Sequence, residues 1–204
     1  MFGYRHKSNR TCGQASLLIL ICTFLLVGCS KLSFRPAPVV PTKTPLPYSA
    51  QIRLTELGVY AVEPGATMRT DPTLQNHVTH ADSTLAMSQK EWEHAIIDYV
   101  TARQTFIKVV EDGAADVALA LRLFIYIDPG VGFKFNHTYV ARADTLVKEP
   151  RSGRVLASYS GFGKAFGVVS RGAREDDEAP INKSTQTSLN DLFDKLEKDR
   201  KTFP

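Results

Sequence analysis

Few residues with reactive side chains stand close together in this chain, so their spacing decides how each is read. His77, His80 and Asp82, with His94 further on, offer imidazoles and a carboxylate of the kind that hold a divalent metal. His-x-x-His spacing can bring two rings to one ion. Zinc helices, however, more often place histidines four apart with an acid between, and residues 77–82 read as loop. Solvated histidines are therefore the expectation, and no metal is assigned. Gly161, Gly163 and Gly167 form G-x-G-x-x-x-G, one residue longer than the dinucleotide fingerprint. The residues after it, Val168 to Gly172, do not open an amphipathic helix, so no helix N-terminus is offered to a pyrophosphate. A strand that bends, or that another segment approaches closely, accounts better for these glycines. Glu175-Asp176-Asp177-Glu178 has the charge to attract a cation or a basic partner, but a solvated loop ahead of the last helix is the simpler expectation. No G-x-S-x-G elbow surrounds Ser158, Ser160 or Ser170. No catalytic residue and no cofactor are assigned, and an enzyme is not expected.

The remaining chemistry is that of a thiol. Of three cysteines, Cys12 and Cys22 fall in an N-terminal leader, and Cys29 closes it. The leader has a charged start, Arg5, His6, Lys7 and Arg10, and then an apolar run from Leu17 to Val27. At ~1.5 Å per helical residue that run covers about half of a hydrocarbon core of ~30 Å, so it reads as a signal peptide rather than a stable span. Its end, Leu26-Val27-Gly28-Cys29, resembles the lipobox of bacterial lipoprotein precursors. The resemblance implies cleavage between Gly28 and Cys29, attachment of a diacylglycerol to the Cys29 thiol, and further acylation (palmitate-type chains) of the new amine. Two or three acyl chains exceed what stable anchoring needs. Ser30 stands where a retention signal typically has Asp, which by the same resemblance favours the outer membrane, with the domain in the periplasm.

Composition bounds the rest. Of the 204 residues, 43% are hydrophobic, which excludes disorder throughout, and the single long apolar run excludes a polytopic membrane protein. Without the leader, basic and acidic side chains are nearly equal in number. Nucleic acid, which is held by an excess of Lys and Arg, is therefore not expected.

The chain divides into residues 1–28 as signal peptide, 29–49 as lipidated cysteine and proline-rich tether, and 50–204 as an α+β domain. Pro36, Pro38, Pro41, Pro45 and Pro47 favour polyproline II, and at ~3.1 Å per residue a tether over residues 30–49 would reach roughly 60 Å. Ile52, Leu54, Leu57, Val59 and Ala61 predict a strand whose alternation slips near Thr55, as a bulge would cause. A long loop is expected over residues 66–87. Ser88-Gln89-Lys90-Glu91 is a capping box, opening a helix with Trp92, Ile96, Tyr99 and Val100 on one face. Strands follow over residues 105–110, 116–128, 137–147 and 155–166. The second of these carries apolar residues at every odd position from Val117 to Ile127. Leu189, Leu192, Phe193 and Leu196 mark a closing amphipathic helix. The expected fold is a mainly antiparallel sheet of four to five strands with two helices on one face, in the order β-α-β-β-β-β-α.

Aromatic residues collect near the Pro129-Gly130-Val131-Gly132 turn: Phe124, Tyr126, Phe133, Phe135 and Tyr139, with Phe162 and Phe166 on a neighbouring strand. Two readings stay open. They form an exposed docking surface on the sheet face opposite the helices, or a satellite core under the loop of residues 66–87. In outline the order of elements resembles small outer-membrane lipoproteins of the YajG type and accessory lipoproteins of lipid-export systems. That likeness implies a non-enzymatic lipoprotein, held in the bilayer through acylated Cys29, that presents its domain to an envelope protein, glycan or lipid. The alternatives are a subunit of a secretion or transport complex, and a lipid-anchored metal-dependent hydrolase using His77, His80, Asp82 and the acidic loop Glu175 to Glu178.

Overall fold

The computed structural model describes residues 32–62, 78–80, 87–111, 113–128, 136–168 and 175–200. Cys29 and Gly28 lie outside them, as do His77, Asp82, Phe133 and Phe135. Strand β1 spans Leu46–Val62, β2 Val78–His80, helix α1 Gln89–Arg103, β3 Phe106–Val110, β4 Val117–Asp128, β5 Asn136–Lys148, β6 Val155–Val168 and helix α2 Glu175–Lys198. The expected α+β fold and the order of its main elements hold. The Ser88 N-cap holds too, with its hydroxyl accepting from the Glu91 N–H. So does the bulge, where the β1 register shifts between Leu54 and Glu56 and the Thr55 hydroxyl donates to the Leu121 carbonyl.

Three features differ in detail from the expectation. The sheet is mainly antiparallel, as expected, but mixed: β4–β5, β5–β6 and β1–β2 are antiparallel, while β1 runs parallel to both β3 and β4. Its main path is β2-β1-β4-β5-β6, with β3 on the β1 edge. A six-residue link between β3 and β4 ordinarily makes a hairpin. Here it carries the chain from one side of β1 to the other, and the side chains of β1 hold it there. Gln51 Nε2 and Arg53 Nη2 both donate to the Glu111 carbonyl at 3.0 Å, and the Ser49 hydroxyl donates to Asp116 at 2.7 Å. Second, β2 adds a short strand within the segment expected to be all loop. Third, the acidic run at residues 175–178 opens α2 instead of preceding it.

The tether also differs from expectation. The packed unit begins at Lys31, not near residue 50. Leu32 and Phe34 are buried; Phe34 stacks on Trp92 at 5.5 Å and meets Tyr99 edge-on at 6.4 Å, and the Trp92 indole donates to the Leu32 carbonyl. Beyond them the chain runs along α2 in step with it. Ser33 donates to Glu178, the Arg35 N–H to Asn182, and the Ala37 N–H to Gln186, whose amide donates back to the Ala37 carbonyl. Two residues of extended chain at ~3.1 Å each match four helical residues at ~1.5 Å each, so the partners recur at every second strap residue and every fourth helix residue. Pro36 and Pro38, which alternate with the bonded residues, have no N–H to satisfy, which suits a strap that bonds here only on alternate residues.

Both helices lie on one face of the sheet, as expected. The core joins Ile52, Leu54, Leu119, Leu121, Leu123 and Ile125 of the sheet to Trp92, Ile96 and Tyr99 of α1 and Leu189, Leu192 and Phe193 of α2. The helices meet through Tyr99 and Phe193, whose ring centroids are 6.3 Å apart, and through Arg103, which bonds Asn190, Asp194 and Glu197. Burial pushes the Tyr99 phenol up to about 12, against the lowering effect of the Arg103 guanidinium, and its hydroxyl donates to Asn190.

Candidate binding surface on the open sheet face

The glycine motif serves packing. A Cβ on Gly161 or Gly163 would collide with the α2 backbone at Ser188 or Ser184, and one on Gly167 would come within 2.8 Å of the Pro180 ring. The three glycines share the helix-covered face of β6 and let α2 lie directly on the strand. This is the close approach expected from the sequence, and it leaves no phosphate cradle in that role.

Among the described residues no helix lies over the opposite face. Alternation along β4 and β5 sends Arg122, Phe124, Tyr126, Arg142 and Asp144 to this side, and β6 adds Ser160, Phe162, Lys164 and Phe166. The register aligns them in cross-strand rows. Glu56, Arg122, Asp144 and Ser160 form one row, Gly58, Phe124, Arg142 and Phe162 the next, and Tyr60, Tyr126, Val140 and Lys164 a third. Residues directly opposite on adjacent strands interact through their side chains, so each row is a physical unit.

Asp144 organises the first two rows. It is only 7% exposed although it points away from the main core, and it accepts from Arg142 Nε at 3.0 Å and from the Ser160 hydroxyl at 2.6 Å, with Arg122 Nη2 at 3.8 Å. The carboxylate thereby fixes two guanidinium groups beside aromatic rings. Arg122 lies 5.9 Å from the Phe124 centroid, Arg142 lies 5.6 Å from that of Phe162, and Lys164 lies 5.0 Å from that of Phe166. Tyr60 stacks on Tyr126 at 5.5 Å and tilts against Phe124 at 6.2 Å. Burial raises the Tyr126 phenol, helped by Tyr60, and burial and then Glu56 raise Tyr60, so both remain hydrogen-bond donors at neutral pH. Phe162 is 36% exposed and Phe166 71%. The surface can stack on a flat or apolar group while presenting cations to an acidic one.

The aromatic cluster expected from the sequence is thus split. Phe124, Tyr126, Phe162 and Phe166 share the open face, whereas Tyr139 is buried on the helix side. His80 lies in β2 with its backbone paired to Tyr60, and His94 is exposed on α1. Among the described residues no group of three or more metal-ligating side chains comes together, and no helix is long and apolar enough to cross a membrane. Sequence reasoning missed Tyr60, Arg142, Asp144 and the buried strap residues Leu32 and Phe34. The signal for Arg142 and Asp144 was present as two charges at alternate positions of one strand.

No protein-family model matches this chain, and no curated protein matches it. Solved structures do. A Xanthomonas campestris protein of the DUF330 family model is similar over 83% of this chain and 98% of its own, with a TM-score of 0.54 at 9% identity. A Helicobacter pylori homolog of the neuraminyllactose-binding hemagglutinin is similar over 84% and 94%, with a TM-score of 0.46 at 9% identity. A Caulobacter crescentus protein named as a lipoprotein is similar over 52% and 75%, with a TM-score of 0.33 at 11% identity. The first of these likenesses shows a shared fold. At such identity it transfers no residue and no activity.

Proposed function

We propose that this chain is a non-enzymatic, lipid-anchored protein of the outer membrane whose domain faces the periplasm and binds an envelope partner through its open sheet face. Lipidation of Cys29 is supported by the lipobox, Leu26 to Cys29, and by the leader before it. The binding role is supported above all by one observation: Asp144, buried on the sheet face opposite α1 and α2, holds Arg122 and Arg142 beside Phe124 and Phe162. Ordering side chains before a partner arrives lowers the entropy lost on binding, and Arg and aromatic residues are the types enriched where binding energy concentrates.

The test is a photo-crosslinking amino acid placed at Phe162 in the natively processed protein, with Ile107 as a control site. Ile107 is 65% exposed on β3, away from the rows. A discrete adduct from position 162 that is lost in Arg142→Ala, with none from position 107, is the expected result. No adduct from 162, or equal labelling from both, would refute binding at this face. The second reading, a subunit of a secretion or transport complex, has the same surface in a permanent interface. Sedimentation after mild detergent extraction separates the two, since a stable complex travels with its partner at all dilutions.

A further inference from the structure

The strap that begins at Leu32 decides how this domain would stand on a membrane. In a mature chain starting at lipidated Cys29, only Ser30 and Lys31 separate the anchored residue from Leu32, which is 6% exposed and fixed through its carbonyl to Trp92. Three peptide steps span at most about 11 Å. The strap does not act as a spacer, because its N–H groups are paired with α2 in register from residue 35 to residue 37 and its Thr42 N–H with the Arg103 carbonyl. The leash is therefore short and its attachment point rigid.

That point lies at one end of the sheet. Ser33 bonds Glu178 in the first turn of α2, and Pro180, half a turn on, sits against Gly167 near the end of β6. The strands β1, β4 and β6 all run toward this end, so Tyr60, Tyr126, Lys164 and Phe166 are gathered there on the open face. Phe166 is 71% exposed with the Lys164 ammonium 5.0 Å from its ring centre. The opposite end carries the β5–β6 turn at residues 149–154. It stands about 40 Å away, given the 12 residues of β4 at ~3.3 Å each.

We infer that the domain docks on the bilayer it is anchored to, with the ends of β1, β4 and β6 at headgroup level and Phe166 and Lys164 in the interface. The inference rests on the lipid-anchored reading of Cys29. Aromatic rings suit the headgroup boundary, and a lysine beside one can reach anionic phosphate while its stem lies over apolar surface. The partner is a phospholipid surface, and the short leash is what selects it.

The experiment uses full-length protein purified from a lipoprotein-processing bacterium and reconstituted into vesicles of equal parts phosphatidylethanolamine and phosphatidylglycerol. Cys29, as a thioether, leaves an introduced cysteine as the one reactive thiol of the mature chain. A fluorophore at Phe166→Cys is compared with one at Ser152→Cys, both exposed positions, using a headgroup spin-labelled lipid as quencher. Quenching at least threefold stronger at 166 than at 152 is expected, and a Gly/Ser insertion of about 20 residues between Ser30 and Lys31 should remove the difference. Intact mass is measured on the same samples. Acylated Cys29 with equal quenching at both positions would overturn the docked orientation alone. A bare Cys29 thiol would overturn the lipid-anchored reading and this inference with it.

Discussion

Asp144 shows what one carboxylate does at the centre of the sheet face opposite the helices. It is the common acceptor for Arg142 and Ser160 and faces Arg122, so its removal leaves two cations side by side with nothing between them. Asp144→Ala is expected to lower unfolding stability by about 1–3 kcal/mol, through lost charge-assisted hydrogen bonds and unrelieved repulsion. Ser160→Ala should cost clearly less, as urea unfolding of both variants will show. Tyr99 gives a second residue-level expectation. Burial holds its phenol at about 12, against an unfolded value near 10, so between those limits the native chain binds more protons than the unfolded one. Stability from this group is complete below about pH 10 and falls as pH rises toward 12, by up to roughly 2–3 kcal/mol at the top of that window. Comparing urea midpoints at about pH 9 and about pH 11, the alkaline loss should be smaller in Tyr99→Phe than in the parent; equal losses would assign the alkaline sensitivity elsewhere.

At the scale of elements, α2 and β6 are built for contact without intervening side chains. Gly163→Ala places a methyl group against the Ser184 carbonyl, and backbone cannot yield as a flexible side chain would. A loss of about 2–4 kcal/mol is expected from the displaced helix. Gly153→Ala, in the β5–β6 turn with open space around it, should cost less, its penalty coming from the positive φ alone. Thermal unfolding of the two variants checks the ranking. The helices also close the sheet edges. On β1, between its pairings with β3 and β2, Glu93 accepts the Leu54 N–H at 2.7 Å and Gln89 donates to the Leu54 carbonyl. On β6, Asp191 accepts the Phe162 N–H at 3.0 Å and Lys195 donates to the Ser160 carbonyl at 2.8 Å. Burial alone would raise the Asp191 carboxyl, yet Lys195 and the Phe162 N–H hold it below the usual carboxylate range. Each pair sits four residues apart on its helix and satisfies one strand residue, Leu54, or two that alternate along the edge, Ser160 and Phe162, so a second chain finds no free ladder at those points. Asp191→Ala/Lys195→Ala should therefore raise self-association, seen as a concentration-dependent shift in sedimentation, while changing stability by only about 1–2 kcal/mol. The same elements show what the sequence could disclose. Strand β4, helix α1 and the second half of α2 were legible because their apolar residues keep periods of two and near four there, whereas the polar first half of α2 reads as loop. The parallel pairing of β1 with β4 was not, because a short link between strands has the same local chemistry whether it turns back or crosses a neighbour. The edge caps and Asp144 were equally hidden, since charged residues at alternating or i, i+4 positions read as solvated until the partner element is known.

For the whole molecule, the proline-rich segment turns out to be part of the fold, and this changes what the N-terminal region is for. Composition alone reads five prolines in a dozen or so residues as a spacer, and that reading ignores Leu32 and Phe34. Those two residues enter the space over Trp92 and Tyr99, where Phe34 is 4% exposed and stacks on the indole. If the strap is a structural strand-like element, Phe34→Ala should destabilise the entire domain by about 3–5 kcal/mol, as truncation of a buried aromatic does in a core. If it were a detachable tether, the same change would leave unfolding untouched and alter only local proteolysis near the strap. Chemical denaturation of the leaderless domain beginning at Ser30 distinguishes these outcomes, because the two states differ in the midpoint of the global transition. Pro38→Ala supplies the comparison, since Pro38 is exposed and contributes chain stiffness rather than buried surface, so its cost should stay within about 1 kcal/mol. A large loss in the first variant and a small one in the second would make the strap, the two helices and the sheet a single cooperative unit. Any force on the chain at Leu32 would then be felt directly by the core.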